Sequence, residues 1–262
     1  MNIDLSGKKA IVTGSTAGIG FAIAQGLLSA GAEIIICGRD PVRLDLALSA
    51  LQDRSGSVKG YSLDLARADD CNTLIERVPE ADILINNLGI YGDKDFFDIA
   101  DDDWETFFQV NVMSGVRLSR HYAKRMRAKG WGRIQFISSE SAVNIPDDMV
   151  HYGVSKSAVQ GLARGLAKVL AGTGVTVNSI LPGPTMTEGA EEFIKGLADD
   201  RGVSFEKMQS LFFEENRPSS LTRRFAHPDE VANMCVYIAS EQASSTSGAA
   251  LRVEGGIVET II

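Results

Sequence analysis

The 262-residue chain is 44% hydrophobic and 23% charged, with 26 glycines and 7 prolines, which suits a globular fold with a large core and excludes disordered, collagen-like and coiled-coil chains. Lys and Arg number 26 against 34 Asp and Glu, a formal net charge of -8 that repels phosphate backbones and anionic membranes, so neither nucleic acid nor a membrane is an expected partner. Cys37, Cys71 and Cys235 form no CxxC pair and read as reduced, packed thiols with no metal site; no stretch approaches the roughly 18 apolar residues of a bilayer span, so the expectation is a cytoplasmic protein.

In chain order, apolar strand-like runs at residues 8–13, 33–37, 57–63, 82–86, 132–138, 175–180 and 249–253 alternate with amphipathic helical stretches. Uninterrupted Val, Ile and Leu need both sheet faces covered, and a helix after each strand supplies the crossover that parallel pairing requires. The rhythm predicts an α/β fold, a doubly wound Rossmann-type parallel β-sheet flanked by helices. No Pro/Gly/Ser-rich linker, low-complexity run or internal repeat divides the sequence, so residues 1–262 are expected to form a single domain. The rhythm breaks at residues 188–224, where helical patterns at 188–197 and 204–215 follow the proline-rich turn at 182–184. A helical pair inserted there reads as a substrate lid.

After the first strand, Thr13-Gly14-Ser15-Thr16-Ala17-Gly18-Ile19-Gly20 leads into an amphipathic helix at 21–30. Glycines allow a tight turn and close backbone approach, and free N–H groups at the helix start suit a pyrophosphate. The spacing is GxxxGxG rather than GxGxxG, and the missing Lys-Ser/Thr ending separates the turn from the P-loop of nucleotide hydrolases. The competing reading is a glycine-rich turn without a ligand. The second strand ends at Cys37-Gly38-Arg39. An acid here would bind the ribose 2′-hydroxyl of NAD, whereas a small residue followed by Arg offers room and charge for a 2′-phosphate, which favours NADP. Arg39 also reads as a solvated residue before Asp40-Pro41, an N-cap followed by Pro at the first helical position.

Further along, the helical pattern from His151 to Leu170 sets Tyr152 and Lys156 one turn apart on one face. An ammonium beside a phenol favours phenolate, so the pKa of Tyr152 is expected to fall and make it a competent acid or base. The preceding strand ends in Ile137-Ser138-Ser139-Glu140-Ser141, at the carboxyl edge where doubly wound sheets bind ligands. A hydroxyl from Ser139 can orient and polarise a carbonyl there, with Ser138 and Ser141 available for capping or back-bonding.

With these parts assembled, the chain resembles the short-chain dehydrogenase/reductase (SDR) family from the Gly14 turn to its end. The matching elements are residues 13–20, Asp64-Leu65, Asn86-Asn87-Leu88-Gly89, Asn111, Ser139, Tyr152 with Lys156, Pro182-Gly183 followed by Thr187, and Glu254-Gly255-Gly256. The resemblance implies an NAD(P)-dependent oxidoreductase, usually a homotetramer, acting on a small-molecule carbonyl or alcohol substrate through a tetrad of Asn111, Ser139, Tyr152 and Lys156. Alongside Arg39, it implies cofactor contacts from Gly14, Ser15, Thr16, Gly18, Ile19, Gly20, Asp64, Leu65, Asn86, Asn87, Gly89, Tyr152, Lys156, Pro182, Gly183 and Thr187. Two positions depart from the family pattern: Leu88 stands where alanine is usual, adding bulk near the adenosine ribose, and Glu254 stands where aspartate is usual.

Under this resemblance a hydride passes between nicotinamide C4 and a carbonyl carbon while Tyr152 exchanges a proton with the oxygen. Ser139 hydrogen-bonds that oxygen, Lys156 lowers the Tyr152 pKa and holds the nicotinamide ribose, and Asn111 positions a water leading protons to Lys156. Preplaced donors act selectively because alkoxide charge develops only in the transition state. Asn111 reads equally as support for a helix kink or buried turn, and His151 as structural. Substrate choice is expected from Met186 through Leu221, with Phe193, Leu197, Phe205, Met208, Phe212 and Phe213 as an apolar cover for a hydrophobic or 3-oxoacyl-type ketone. The same spacing also fits helices packed on the body or on another subunit. Arg217, Arg223 and Arg224 offer charge to an anionic carrier, and Glu140 is a candidate pocket residue. A catalytically silent dinucleotide-binding sensor or scaffold, and a Rossmann-like methyltransferase, are the competing functions; the filled tetrad argues against the first and the Tyr152–Lys156 pair against the second.

Overall fold

Strands such as Glu33–Gly38, EIIICG, and Ile83–Asn86, ILIN, carry apolar side chains without alternation, and the fold buries both of their faces. The computed structural model describes residues 2–52 and 56–261. Strands β1 (Lys9–Val12), β2 (Glu33–Gly38), β3 (Val58–Ser62), β4 (Ile83–Asn86), β5 (Gly132–Ile137), β6 (Val175–Pro182) and β7 (Ala250–Val253) pair in parallel throughout, in the order β3-β2-β1-β4-β5-β6-β7. Every strand read from the sequence is present. β6 runs two residues past its expected end because Leu181 and Pro182 pair with Arg252 and Val253 of β7.

Alternate strand residues feed two cores. Ala10, Val12, Ile34, Ile36, Ile83 and Ile85 pack under α1 (Gly18–Ser29), α2 (Pro41–Gln52) and α9 (Pro228–Ala239). Ile11, Ile35, Cys37 and Leu84 face the opposite layer, α3 (Ala68–Arg77), α5 (Ser114–Lys129) and α6 (Val150–Val169). Period-two alternation therefore survives as a choice between two apolar layers rather than between core and water. The three cysteines are free and buried, and among the described residues no helix is long and apolar enough to cross a membrane.

Topology places the site. From β1 the chain winds outward through β2 and β3, then returns to pair β4 on the other side of β1. The connections leaving β1 and β4 diverge to opposite faces, opening a crevice at the carboxyl ends of the strands. Before α5, the helix α4 (Asp101–Phe108) passes into it through a π-helical turn, Gln109–Met113.

The inserted segment is a helical pair, α7 (Glu188–Arg201) and α8 (Phe205–Asn216), capped by Thr187 and Ser204, whose hydroxyls accept from Ala190 N and Lys207 N. Its apolar side chains form a third cluster: Ile194, Ala198, Met208, Phe213 and Phe225, flanked by Leu197, Phe205 and Phe212. Phe193 is exposed. Of the six side chains expected as an apolar cover, Met208 and Phe213 are buried in this cluster, while Leu197, Phe205 and Phe212 are half-buried at its edge.

Tyr122 of α5 is buried, and its hydroxyl donates to Val78 O at 2.7 Å, tying α5 to the end of α3. Tyr122→Phe strands that buried carbonyl and should lower unfolding free energy by about 1–3 kcal/mol, read as a lower urea midpoint with an unchanged slope.

Candidate active site

The glycine turn is closed from its neighbouring strands. Ser15 Oγ donates to Val12 O at 2.6 Å and accepts from Cys37 N at 3.0 Å, which ties the turn to β2. Thr13 Oγ1 accepts from Asn87 N and Leu88 N, and Asn87 Nδ2 donates to Thr13 O and Gly14 O at 3.0 and 2.9 Å. Gly14 and Gly18 have φ of 59° and 56°, a region that favours glycine. A Cβ at Gly20 would lie 2.3 Å from Gly14 O. The helix begins at Gly18, earlier than its hydrophobic pattern suggested, so the glycine turn is itself the first turn of α1. Among the described residues no side chain caps it, Ala17 occupies the N-cap, and its first turn carries no acid. Its leading N–H groups and positive dipole end therefore face the crevice, a fit for a pyrophosphate.

The remaining expected cofactor residues divide by where their side chains go. Thr16 packs against Gly38, where any Cβ would meet its methyl at 2.5 Å, and Arg39 follows, exposed. Asp64 Oδ1 accepts from Ala66 N at 3.2 Å beyond β3, and Leu65 is buried. Asn86 is committed to the interior: Nδ2 donates to Ser119 Oγ and Gln135 O at 3.2 and 3.4 Å. The side chains of Ser15, Asn86 and Asn87 thus build the crevice wall. Leu88 is half-buried and packs against the α3–α5–α6 core. Pro182 ends β6, Gly183 N donates to Val253 O at 3.0 Å, and the Thr187 methyl lies over Gly18, so the two rims meet. Glu254 is buried and accepts from Ile257 N and Val258 N, so the longer acid closes its own turn.

Beside this turn, the end of β5 and the first turns of α6 bring Ser139, Tyr152 and Lys156 together. Lys156 is 5% exposed, and its Nζ donates to Ile137 O at 2.9 Å. Ser138 Oγ donates to Lys156 O at 3.0 Å, and Ser157 Oγ to Ala142 O at 2.7 Å. Ser139 is an extended residue that caps the following short turn, Glu140–Ala142; its Oγ accepts from Ser141 N at 3.1 Å. It acts on the nearby Tyr152 phenol, whose ring centroid lies 5.8 Å from Lys156 Nζ.

The electrostatics correct one expectation. Burial pushes the Tyr152 phenol up to about 12; the Ser139 hydroxyl and the Arg217 charge pull against this, while Glu140 and Tyr91 add to it. Burial also pulls the Lys156 ammonium down to about 8. The ammonium is aimed at a carbonyl rather than at the phenol oxygen, and desolvation penalises the charged form of each group. Proximity on one helical face was therefore not enough to lower the phenol.

Asn111 lies in the π-helical turn, buried, with Oδ1 accepting from Ile90 N at 2.8 Å. Its Nδ2 donates to Ile90 O at 3.0 Å and to Ser155 Oγ at 2.9 Å. These contacts fit its reading as support for a helix kink or buried turn: it sits in a distorted helical turn, and its amide ties the loop after β4 to α6. Gly89 stands between Asn111 Oδ1 and Lys156 Nζ. His151 is buried against Phe107 at 4.1 Å between ring centroids, away from the reacting hydroxyls. Sequence reasoning missed Tyr91, whose ring meets that of Tyr152 edge-on at 6.4 Å; its position just beyond the carboxyl end of the fourth strand was the available signal.

Residues 8–197 match the short chain dehydrogenase family. The chain is 43% identical over 264 residues to the uncharacterized oxidoreductase YvrD of Bacillus subtilis, covering 100% of both. It is 34% identical to the 3-oxoacyl-[acyl-carrier-protein] reductase FabG of Aquifex aeolicus, covering 98% of this chain and 100% of that one. The crystal structure of L-sorbose reductase from Gluconobacter frateurii, complexed with NADPH and L-sorbose, superposes with a TM-score of 0.93 at 32% identity and 100% coverage of both chains. A parallel sheet with its crevice beside β1 and β4, a hydroxyl, phenol and ammonium gathered at the end of β5, and these likenesses across the whole chain lead to one assignment: the protein belongs to the short-chain dehydrogenase/reductase family of oxidoreductases.

Proposed function

We propose that the protein interconverts a ketone and a secondary alcohol with NADP(H), using Tyr152 as the proton donor and acceptor. The observation that carries this reading is the convergence of Ser139, Tyr152 and Lys156 beside an uncapped helix start. The named relatives add support, since reduction of a ketone is common to a 3-oxoacyl reductase and an L-sorbose reductase.

When bound, the dinucleotide supplies or accepts a hydride. The chain's own residues do the rest. The leading N–H groups of α1 hold the pyrophosphate, and Arg39, at the end of β2, meets a 2′-phosphate. Ser139 donates to the carbonyl oxygen and fixes its place against the phenol. Tyr152 delivers the proton to that oxygen as negative charge builds, and a phenol whose pKa burial has raised holds its proton until that moment. Lys156, a donor next to the crevice, contacts ribose hydroxyls and hands on a proton readily because burial has brought its pKa close to neutrality. Asn111 keeps the loop after β4 against α6, which preserves the spacing of these groups.

Tyr152→Phe removes the exchangeable proton: kcat for NADPH-dependent ketone reduction should fall by about 10²–10⁴-fold while NADPH binding, followed by fluorescence titration, persists. Undiminished turnover in this variant would refute the assignment of the acid. Arg39→Ala should narrow the preference for NADPH over NADH by about tenfold in Kd, the scale of one charge-assisted contact; equal affinity of the unaltered protein for both would reject the NADP reading.

Lys156 also gives a pH test. Its folded pKa of about 8 lies below the ordinary 10.5, so between these values the unfolded chain binds more protons and stability rises with pH. Below pH 8 the buried ammonium bears its full desolvation cost. Lys156→Met should therefore be inactive, and between pH 8 and 10.5 the parent should gain stability on this variant by about 3 kcal/mol. Thermal melts of both proteins across that range would reveal it, and parallel curves would contradict it.

A further inference from the structure

An ion pair stands beside the reacting hydroxyls that the reaction scheme does not use. Glu140, next to Ser139, is 2% exposed. Its Oε2 accepts from Ser141 Oγ at 3.1 Å, and its Oε1 accepts from Arg217 Nε at 2.9 Å. Arg217 is the residue at which α8 ends, and its side chain is 17% exposed. Its Nη1 donates to Asn216 O at 2.8 Å, which leaves Nη2 without a protein partner among the described residues. Both charges act on the Tyr152 phenol in opposite directions, so the pair lies within electrostatic reach of the reacting oxygen.

Burying such a pair costs more than an apolar pair of the same volume would, so its presence asks for a use. Glu140, the neighbour of Ser139, takes Nε and Asn216 O takes Nη1, so the guanidinium is held in one orientation with Nη2 left to donate. The charge of that donor is already balanced. A substrate carboxylate arriving there would leave a net negative charge in a poorly hydrated site, whereas a neutral hydroxyl oxygen accepts the hydrogen bond with no charge left over.

Resting on the ketone-reductase reading above, we propose that Arg217 is a specificity-determining residue that donates a hydrogen bond to a hydroxyl group of the substrate, with Glu140 as its positioning residue. The substrate class is then neutral hydroxylated ketones, in preference to oxo acids and unsubstituted ketones.

The test compares NADPH-dependent reduction of erythrulose, butanone and acetoacetate, which share a four-carbon skeleton, by the unaltered protein and by Arg217→Gln, Arg217→Lys and Glu140→Gln. The unaltered protein should favour erythrulose by at least about tenfold in kcat/KM over either other ketone. Arg217→Gln should cut the erythrulose-to-butanone ratio about tenfold, mainly through KM, with Arg217→Lys restoring part of it and Glu140→Gln falling between. Retained NADPH affinity verifies that each variant is folded. An unchanged ratio in Arg217→Gln, or a preference of the unaltered protein for acetoacetate or butanone, overturns the proposal while leaving the reductase reading standing; should Arg217→Gln not fold, the substrate ranking of the unaltered protein and the Arg217→Lys ratio decide. Turnover of none of the three by the unaltered protein, with NADPH bound, overturns the reductase reading and this proposal together.

Discussion

The site depends on a buried ammonium. Lys156 gives up hydration to donate to Ile137 O at the end of β5, and Ser138 Oγ on the same strand returns a hydrogen bond to Lys156 O. Together these contacts fasten the first turns of α6 to the carboxyl edge of the sheet. Tyr152, one turn earlier on the same face, is carried to Ser139 as a consequence. A charge kept out of water is costly unless its hydrogen bonds are satisfied, and the carbonyl that satisfies this one belongs to the strand that delivers the serine.

A second set of contacts does the same for the nucleotide side. Thr13 and Asn87 bind the glycine turn to the loop after β4, and Ser15 binds it to β2. These polar side chains sit where a cofactor would be sought, yet their hydrogen bonds are made to the protein. Their effect is to leave the start of α1 uncapped and pointed into the crevice. The groups left open here are backbone N–H groups, held in place by side chains that bond to the protein.

The α7–α8 pair has a different character. Its apolar cluster is separate from the two that sandwich the sheet, so it meets the body mostly through its ends: the Thr187 cap over Gly18, and Arg217 bonded to Glu140. Those two ends flank the glycine turn and Ser139, respectively.

Legibility followed the range of the interactions. Apolar runs separated by helical patterns announced a parallel sheet, because covering both faces of a strand leaves its mark within the strand itself. The glycine turn and the Tyr152–Lys156 pair were equally legible, since each is written within a few residues. The sequence by itself therefore determined the fold class, the crevice-forming turn and the pairing of Tyr152 with Lys156 on one helical face. It did not determine their protonation, which rests on how much water each group loses to the surrounding helices and strands, and burial reversed the expected shift of Tyr152. Nor did it reveal that Glu140 and Arg217, 77 residues apart, would pair, or that Phe212 and Phe213 of α8 would meet Phe225 beyond the inserted helices. Desolvation and long-range pairing are properties of what surrounds a residue in space, and only the tertiary structure brings those surroundings together.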